Sequence, residues 1–104
     1  MSNPLPFEVR LRREAARELR RLDAPTRRRI DAALRHEAAR AGDAHGGRGG
    51  KAVKLLRGRH ERIYRLRVGS WRVLYEPDHE QRILRVDAVV PRRDLERWLH
   101  DHSR

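Results

Sequence analysis

The chain contains no cysteine. That excludes a disulfide framework and any thiolate metal site, and it suits a reducing cytosol. Long apolar runs are missing too. The N-terminus, MSNPLPFEV, offers nothing a signal peptide or membrane span would need, so the expected location is the cytoplasm, with no membrane association. Lysine is nearly absent, Lys51 and Lys54 being the only two. Acid is scarce: 15 Asp plus Glu stand against 26 Lys plus Arg, a formal net charge of +11. The positive charge is therefore almost entirely guanidinium, which meets phosphate with two parallel hydrogen bonds and stays charged at any physiological pH. GC-rich codon usage accounts for arginine in place of lysine, but not for the excess of base over acid. The excess points to a polyanionic partner, either nucleic acid or an acidic protein.

At 104 residues the chain fits one domain spanning residues 1–104, with a modest core. Phe7 to Leu11 alternates apolar and charged residues and reads as a strand. From Arg12 the period changes: Ala15, Ala16, Leu19 and Leu22 fall at helical spacing, with Arg17, Glu18, Arg20 and Arg21 outward. Asp23 or Ala24 is suited to cap a second helix that carries Pro25 in its first turn. Ile30, Ala33, Leu34, Ala38 and Ala41 continue it, giving a helical hairpin. Residues 42–50, GDAHGGRGG, hold five glycines and read as a flexible connector. No Gly-Lys-Ser/Thr follows to make them a phosphate loop. Strands are expected at Ala52–Leu56, Ile63–Val68, Trp71–Glu76 and Ile83–Val90. A type II′ turn at Gly69-Ser70 joins the second of these to the third, and Pro77 to Glu80 turns the chain again. Pro91 stops the last strand. Leu95, Trp98 and Leu99 are spaced for a short helix over Arg92–His100. Helices grouped apart from an antiparallel sheet of about four strands make this an α+β fold, with the N-terminal strand and helical hairpin packed on the sheet.

Strand alternation sorts the side chains into two faces. Tyr64, Leu66, Val68, Trp71, Val73, Tyr75, Leu84, Val86, Ala88 and Val90 form the set expected to pack on the helices. Ile63, Arg65, Arg67, Arg72, Leu74, Glu76, Ile83, Arg85, Asp87 and Val89 form the other. A charged outer face is ordinary for a half-buried sheet. This one is not sign-balanced, because Arg65, Arg67, Arg72 and Arg85 face a single aspartate among the strand centres. Like charges on neighbouring strands repel by tenths of a kcal/mol or more per pair. A phosphate chain would relieve that repulsion.

Several segments resemble one family. These are FEVRLRREAARELRRLD (7–23), the helix after Pro25, KLLRG (54–58), YRLRVGSWRVLYE (64–76) and VDAVVPRRDLERW (86–98). Together they resemble the RelE/ParE superfamily of type II toxin–antitoxin toxins, more closely the RelE-like branch. The resemblance implies a RelE-like α+β toxin that cuts mRNA in the ribosomal A site as a ribosome-dependent endoribonuclease, with no metal or other cofactor. It also implies an acidic cognate antitoxin that blocks the toxin and, together with it, binds operator DNA. In metal-free cleavage the 2′-hydroxyl attacks the adjacent phosphate, which requires proton transfer and cations for the charge building on phosphorus. By resemblance Arg72 stabilises that charge, Arg92 clamps the phosphate with Arg93 as its rival, and Arg65 takes a position often held by lysine. Lys54, Arg67, Arg85 and Trp98 are candidates for holding RNA.

Two positions depart from the family pattern. Arg65 keeps its proton at any working pH and is a poor base. Trp98 stands where a catalytic tyrosine often falls; it can stack on a base but has no phenolic proton, and its spacing with Leu95 also fits plain helix packing. Histidine is the remaining candidate proton carrier, at His60, His100 and His102. The alternatives are a ParE-like inhibitor of DNA gyrase without catalysis and an inactive relic that binds only antitoxin and operator.

Overall fold

A computed structural model describes residues 5–43, 53–56 and 62–102. The order is β1 (Glu8–Leu11), α1 (Arg13–Arg21), α2 (Ala24–Gly42), β2 (Val53–Leu55), β3 (Tyr64–Val68), β4 (Trp71–Asp78), β5 (Ile83–Pro91), a single 3-10 turn (Arg92–Asp94) and α3 (Leu95–Asp101). Most of the connector expected over 42–50 lies outside the described residues, as do Ala52 and His60. The α+β class holds, but the sheet has five strands in the order β1-β5-β4-β3-β2. Its extra member is the N-terminal strand, which pairs in parallel with β5 instead of packing on the sheet. The chain between these parallel neighbours runs through α1 and α2 to the far edge of the sheet and returns by way of β2, β3 and β4.

Local chemistry sets the element ends. Asp23 caps α2, its carboxylate accepting from the Thr26 backbone N–H at 3.1 Å, and Pro25 occupies the first turn, where a missing N–H costs nothing. At the other end of α2, a Cβ on Gly42 would lie 2.3 Å from the Leu5 carbonyl oxygen, so only glycine lets the N-terminal segment cross there. Arg82 clamps that crossing: its guanidinium donates to the carbonyl oxygens of Leu5 at 2.6 Å and Gly42 at 3.3 Å and lies over the Phe7 ring. Arg82 itself sits at φ 58°, a left-handed conformation that arginine rarely adopts.

The turn expected at Pro77 to Glu80 comes later, because β4 continues through Asp78. β3 pairs with β4 only as far as Tyr75, so beyond it β4 is an edge on that side and tolerates a proline. The Gly69-Ser70 turn is as expected: Gly69 has φ +59° and Ser70 does not take a positive φ, the pattern of type II′.

A bulge changes the faces of β5. Leu74 pairs with Ala88 but Tyr75 pairs with Val86, leaving Asp87 as the extra residue. Leu84 and Val86 face the helices as alternation predicts. After the bulge the sets exchange: Val89 opposes Val73 and enters the core, while Ala88 and Val90 fall on the other face with Leu74 and Arg72. The core joins Phe7, Ala15, Leu19, Ile30, Leu34 and Ala38 to Leu66, Val68, Val73, Tyr75, Leu84, Val86 and Val89.

Two polar devices are buried with this core. Tyr75 donates its hydroxyl to Glu37 at 2.6 Å, and Arg40 grips the same carboxylate with both Nε and Nη2. Burial works against the Glu37 carboxylate, but the bonds from Arg40 and Tyr75 outweigh it and hold it below its ordinary range. Burial and Glu37 together raise the Tyr75 hydroxyl, which stays protonated as the donor. Asp87 pairs with Arg12 at 2.5 Å through Oδ1, and its Oδ2 is buried without a hydrogen bond. Burial and the neighbouring Glu76 carboxylate exceed the pull of Arg12 and push Asp87 up to about 7.

Glu37→Ala leaves the buried Tyr75 hydroxyl without its acceptor and takes a carboxylate from the half-buried Arg40 guanidinium, and is expected to cost about 3 kcal/mol, between the ~1–3 of an unmade buried hydrogen bond and the ~3–5 of a broken buried ion pair. Tyr75→Phe, which leaves the Glu37–Arg40 pair intact, costs about 1 kcal/mol. Urea melts at pH 7 read both; equal costs would contradict the shared network.

Asp87 has the opposite pH signature from Glu37. The folded protein keeps its proton up to about pH 7, whereas the unfolded chain releases it near 3.8, so this group's stabilisation falls as pH rises across that window. Thermal melts between pH 5 and 8 are expected to flatten in Asp87→Asn, with the variant gaining relative to wild type as pH rises.

Candidate phosphate-binding face

The face of the sheet turned away from α1 and α2 is built in rows of cross-strand partners. One row runs Lys54, Arg65, Leu74, Ala88; the next runs Arg67, Arg72, Val90. Four cations therefore stand on two adjacent rows at the end of the sheet nearest the β3–β4 turn. Arg67 and Arg72 are direct partners across the strands, the least favourable arrangement for like charges.

Arg72 is the centre of this group. It is only 6% exposed, yet among the described residues it has no acidic partner. Its Nη1 donates to the carbonyl oxygens of Gly69 and Trp71, each at 2.9 Å, so the turn's own backbone holds the guanidinium. Burial, followed by the charges of Arg65, Arg92 and Arg67, disfavours its protonated form and lowers its pKa below the usual arginine value. Three arginines from two parts of the chain thus act on a fourth. Arg65 is half-buried, and its Nε has no hydrogen-bond partner.

Arg92 reaches the cluster through the backbone. Its N–H donates to the Ser70 carbonyl oxygen at 2.8 Å, tying the 3-10 turn after β5 to the hairpin turn. Ser70, Trp71, Pro91, Arg92 and Arg93 line a cavity of about 420 Å³ at this junction. Arg92 and Arg93 are exposed and make no ion pair among the described residues; the adjacent Asp94 is taken by Arg97 at 3.2 Å. Arg29 of α2 brings a further guanidinium, whose Nη2 lies 3.4 Å from where a Cβ on Gly69 would stand.

The remaining candidates lie elsewhere. Arg85 opposes Glu76, further along β4 than Arg72, and is paired with Asp78 at 3.0 Å. Trp98 is half-buried on α3 and stacks on His102, with ring centroids 4.0 Å apart. His102 also stands 4.0 Å from Glu14, and His100 is exposed. Sequence reasoning gave Trp71 only a core role and passed over Ser70 and Arg29. Their contribution arises where the hairpin turn meets α2 and the segment after β5, and no local pattern encodes that junction.

The arrangement is a fixed guanidinium in a cationic surround, with no compensating carboxylate among the described residues. It can bind an anion and stabilise negative charge that develops on one. Among the described residues no group of three or more His, Cys, Asp or Glu is placed to hold a metal ion, and no helix is long and apolar enough to cross a membrane.

No curated protein matches the sequence. Solved structures match the fold. A chain from the RelBE2 toxin–antitoxin complex of Mycobacterium tuberculosis superposes with a TM-score of 0.67 at 21% identity, over 88% of this chain and 98% of that one. A chain of the archaeal RelE–RelB complex from Pyrococcus horikoshii gives 0.65 at 21% identity, over 85% and 97%. An arginine-substituted Escherichia coli RelE in the free state gives 0.69 at 18% identity, over 95% of each chain. The sequence model of the ParE toxin of type II toxin–antitoxin systems matches residues 9–96. With most of its length inside that match and a RelE-like sheet beneath the arginines, the chain belongs to the RelE/ParE superfamily of type II toxin–antitoxin toxins.

Proposed function

We infer that the toxin is a ribosome-dependent mRNA endoribonuclease that cleaves without a metal ion. The observation that carries this reading is Arg72, buried, without an acidic partner among the described residues, and pressed by Arg65, Arg92 and Arg67. Attack of a 2′-oxygen on phosphorus gives a cyclic phosphate and expels the 5′-oxygen, with extra negative charge on the phosphoryl oxygens in between. Preorganised cations aimed at that charge are worth most where water is excluded. Arg72 serves as the charge stabiliser. Arg92 clamps the phosphate from the segment after β5. Arg65, Arg67, Lys54 and Arg93 hold the backbone on either side. None of these groups exchanges protons at neutral pH, so positioning and electrostatics supply the rate, with solvent or the ribosome carrying protons.

The partners follow from the same charge. An acidic antitoxin neutralises the cationic face; three of the structural relatives were solved in complexes named as toxin with antitoxin. Operator binding by the pair is part of this proposal. The second reading, a gyrase inhibitor without catalysis, is favoured by the family match, which is to the ParE toxin.

Induced expression with wild type and single variants tests the assignment. Arg72→Ala is expected to lower mRNA cleavage by about 10²–10³-fold, the usual loss for one charge-stabilising donor. Arg72→Lys recovers little of it, because a single ammonium does not reproduce the planar fork of guanidinium donors. Arg85→Ala, whose cation is already committed to Asp78, stays within a few-fold of wild type. Undiminished cleavage in Arg72→Ala would overturn the role of Arg72. Intact mRNA with arrested supercoiling would favour the gyrase reading.

A further inference from the structure

Trp71 and Arg72 are adjacent in sequence and point to opposite faces of β4. Arg72 lies in the cationic rows, whereas Trp71 lies on the helix side, half-buried against the core and opposite Pro91 at the very end of the sheet. Trp71 and Pro91 provide the apolar walls of the cavity, and Arg92 and Arg93 its cationic rim. Arg92 belongs to both sites, since it lines this cavity and its charge also bears on Arg72. At about 420 Å³ the cavity is near the lower end of the ~300–1,000 Å³ typical of small-ligand sites, the scale of one nucleotide rather than a run of them.

Building on the ribonuclease reading, we propose that this cavity is a base-binding subsite. One nucleotide rounds the end of the sheet, with its base stacked on Trp71 beside Pro91 and its phosphate on Arg92. An indole face beside a proline ring accepts any planar base, and guanidinium groups at the rim accept the flanking phosphates. The Ser70 side chain and the Arg92 and Arg93 donors are the polar groups within reach of a base edge, so preference among bases arises there. The hydrogen bond from Arg92 N–H to the Ser70 carbonyl fixes the distance between stacking platform and phosphate clamp. Trp71 is thus a substrate-positioning residue: it sets which phosphate arrives at Arg72.

The chain has two tryptophans, so Trp98→Phe leaves Trp71 as the sole indole emitter. Short single-stranded RNA is titrated into this protein, with binding followed separately by anisotropy of a labelled oligonucleotide. RNA bearing bases is expected to quench Trp71 saturably. An abasic oligonucleotide of equal length binds through the arginines without quenching. Trp71→Ala is expected to weaken binding of base-bearing RNA roughly 5- to 150-fold, the worth of one stacked base, and to leave abasic binding unchanged. Trp71→Phe keeps most of the affinity and controls for lost packing. If RNA binds by anisotropy with no quenching, or if Trp71→Ala weakens both oligonucleotides equally, the subsite is refuted while the ribonuclease reading stands. If neither oligonucleotide binds and mRNA is not cut, both fall together.

Discussion

The constraint on which the rest depends is the burial of one cation at the hairpin turn. Arg72 is held by the carbonyl oxygens of Gly69 and Trp71, so its position follows from a two-residue turn with a left-handed glycine. A larger residue at position 69 would meet both the backbone preference and Arg29. The same turn sets the register that makes Arg67 face Arg72, and its Ser70 carbonyl anchors the segment bearing Arg92. Cations that repel one another are thus fixed by backbone hydrogen bonds that do not depend on charge. The folded state carries unfavourable electrostatics at this point, and a polyanion relieves them.

The carboxylates explain why the cluster has no acidic partner among the described residues. Asp78 is used by Arg85, Asp87 by Arg12, Asp94 by Arg97 and Glu37 by Arg40 and Tyr75. Each of these arginines has a structural role: closing the β4–β5 end, tying β5 to the β1–α1 junction, bracing α3, or holding the buried Glu37 carboxylate that accepts from Tyr75. The sequence has more arginine than acid, and Arg65, Arg67, Arg72 and Arg92, none with an acidic partner among the described residues, meet at the turn end of the sheet. Neither composition nor net charge alone specifies this division of labour; the pairing pattern does.

The two hairpin strands were readable in advance because each alternates cleanly and the Gly-Ser turn fixes their register. That was enough to put Arg65, Arg67 and Arg72 on one face. Alternation failed at Asp87, where a bulge inserts one residue and exchanges Val89 with Ala88 and Val90; a bulge in a run as apolar as ILRVDAVV leaves no periodic trace. The parallel pairing of β1 was equally invisible, since it rests on contacts more than 70 residues apart in sequence. Arg85 looked equivalent to the other outward arginines because alternation records a face but not a distance along the strand. The apolar cavity at Trp71 and Pro91 depends on two chain segments meeting, so residue type at either position signals nothing by itself.

The proposed role of the arginine face is to cut RNA. The most direct test is incubation of the purified toxin with ribosomes programmed with a defined mRNA, followed by mapping of the new ends. Ribonuclease action by this face gives cleavage confined to the A-site codon, a 2′,3′-cyclic phosphate on the upstream fragment, and the same yield when divalent cations beyond those holding the ribosome together are removed. Full-length mRNA after prolonged incubation, with DNA gyrase inhibited by the same preparation, would contradict it.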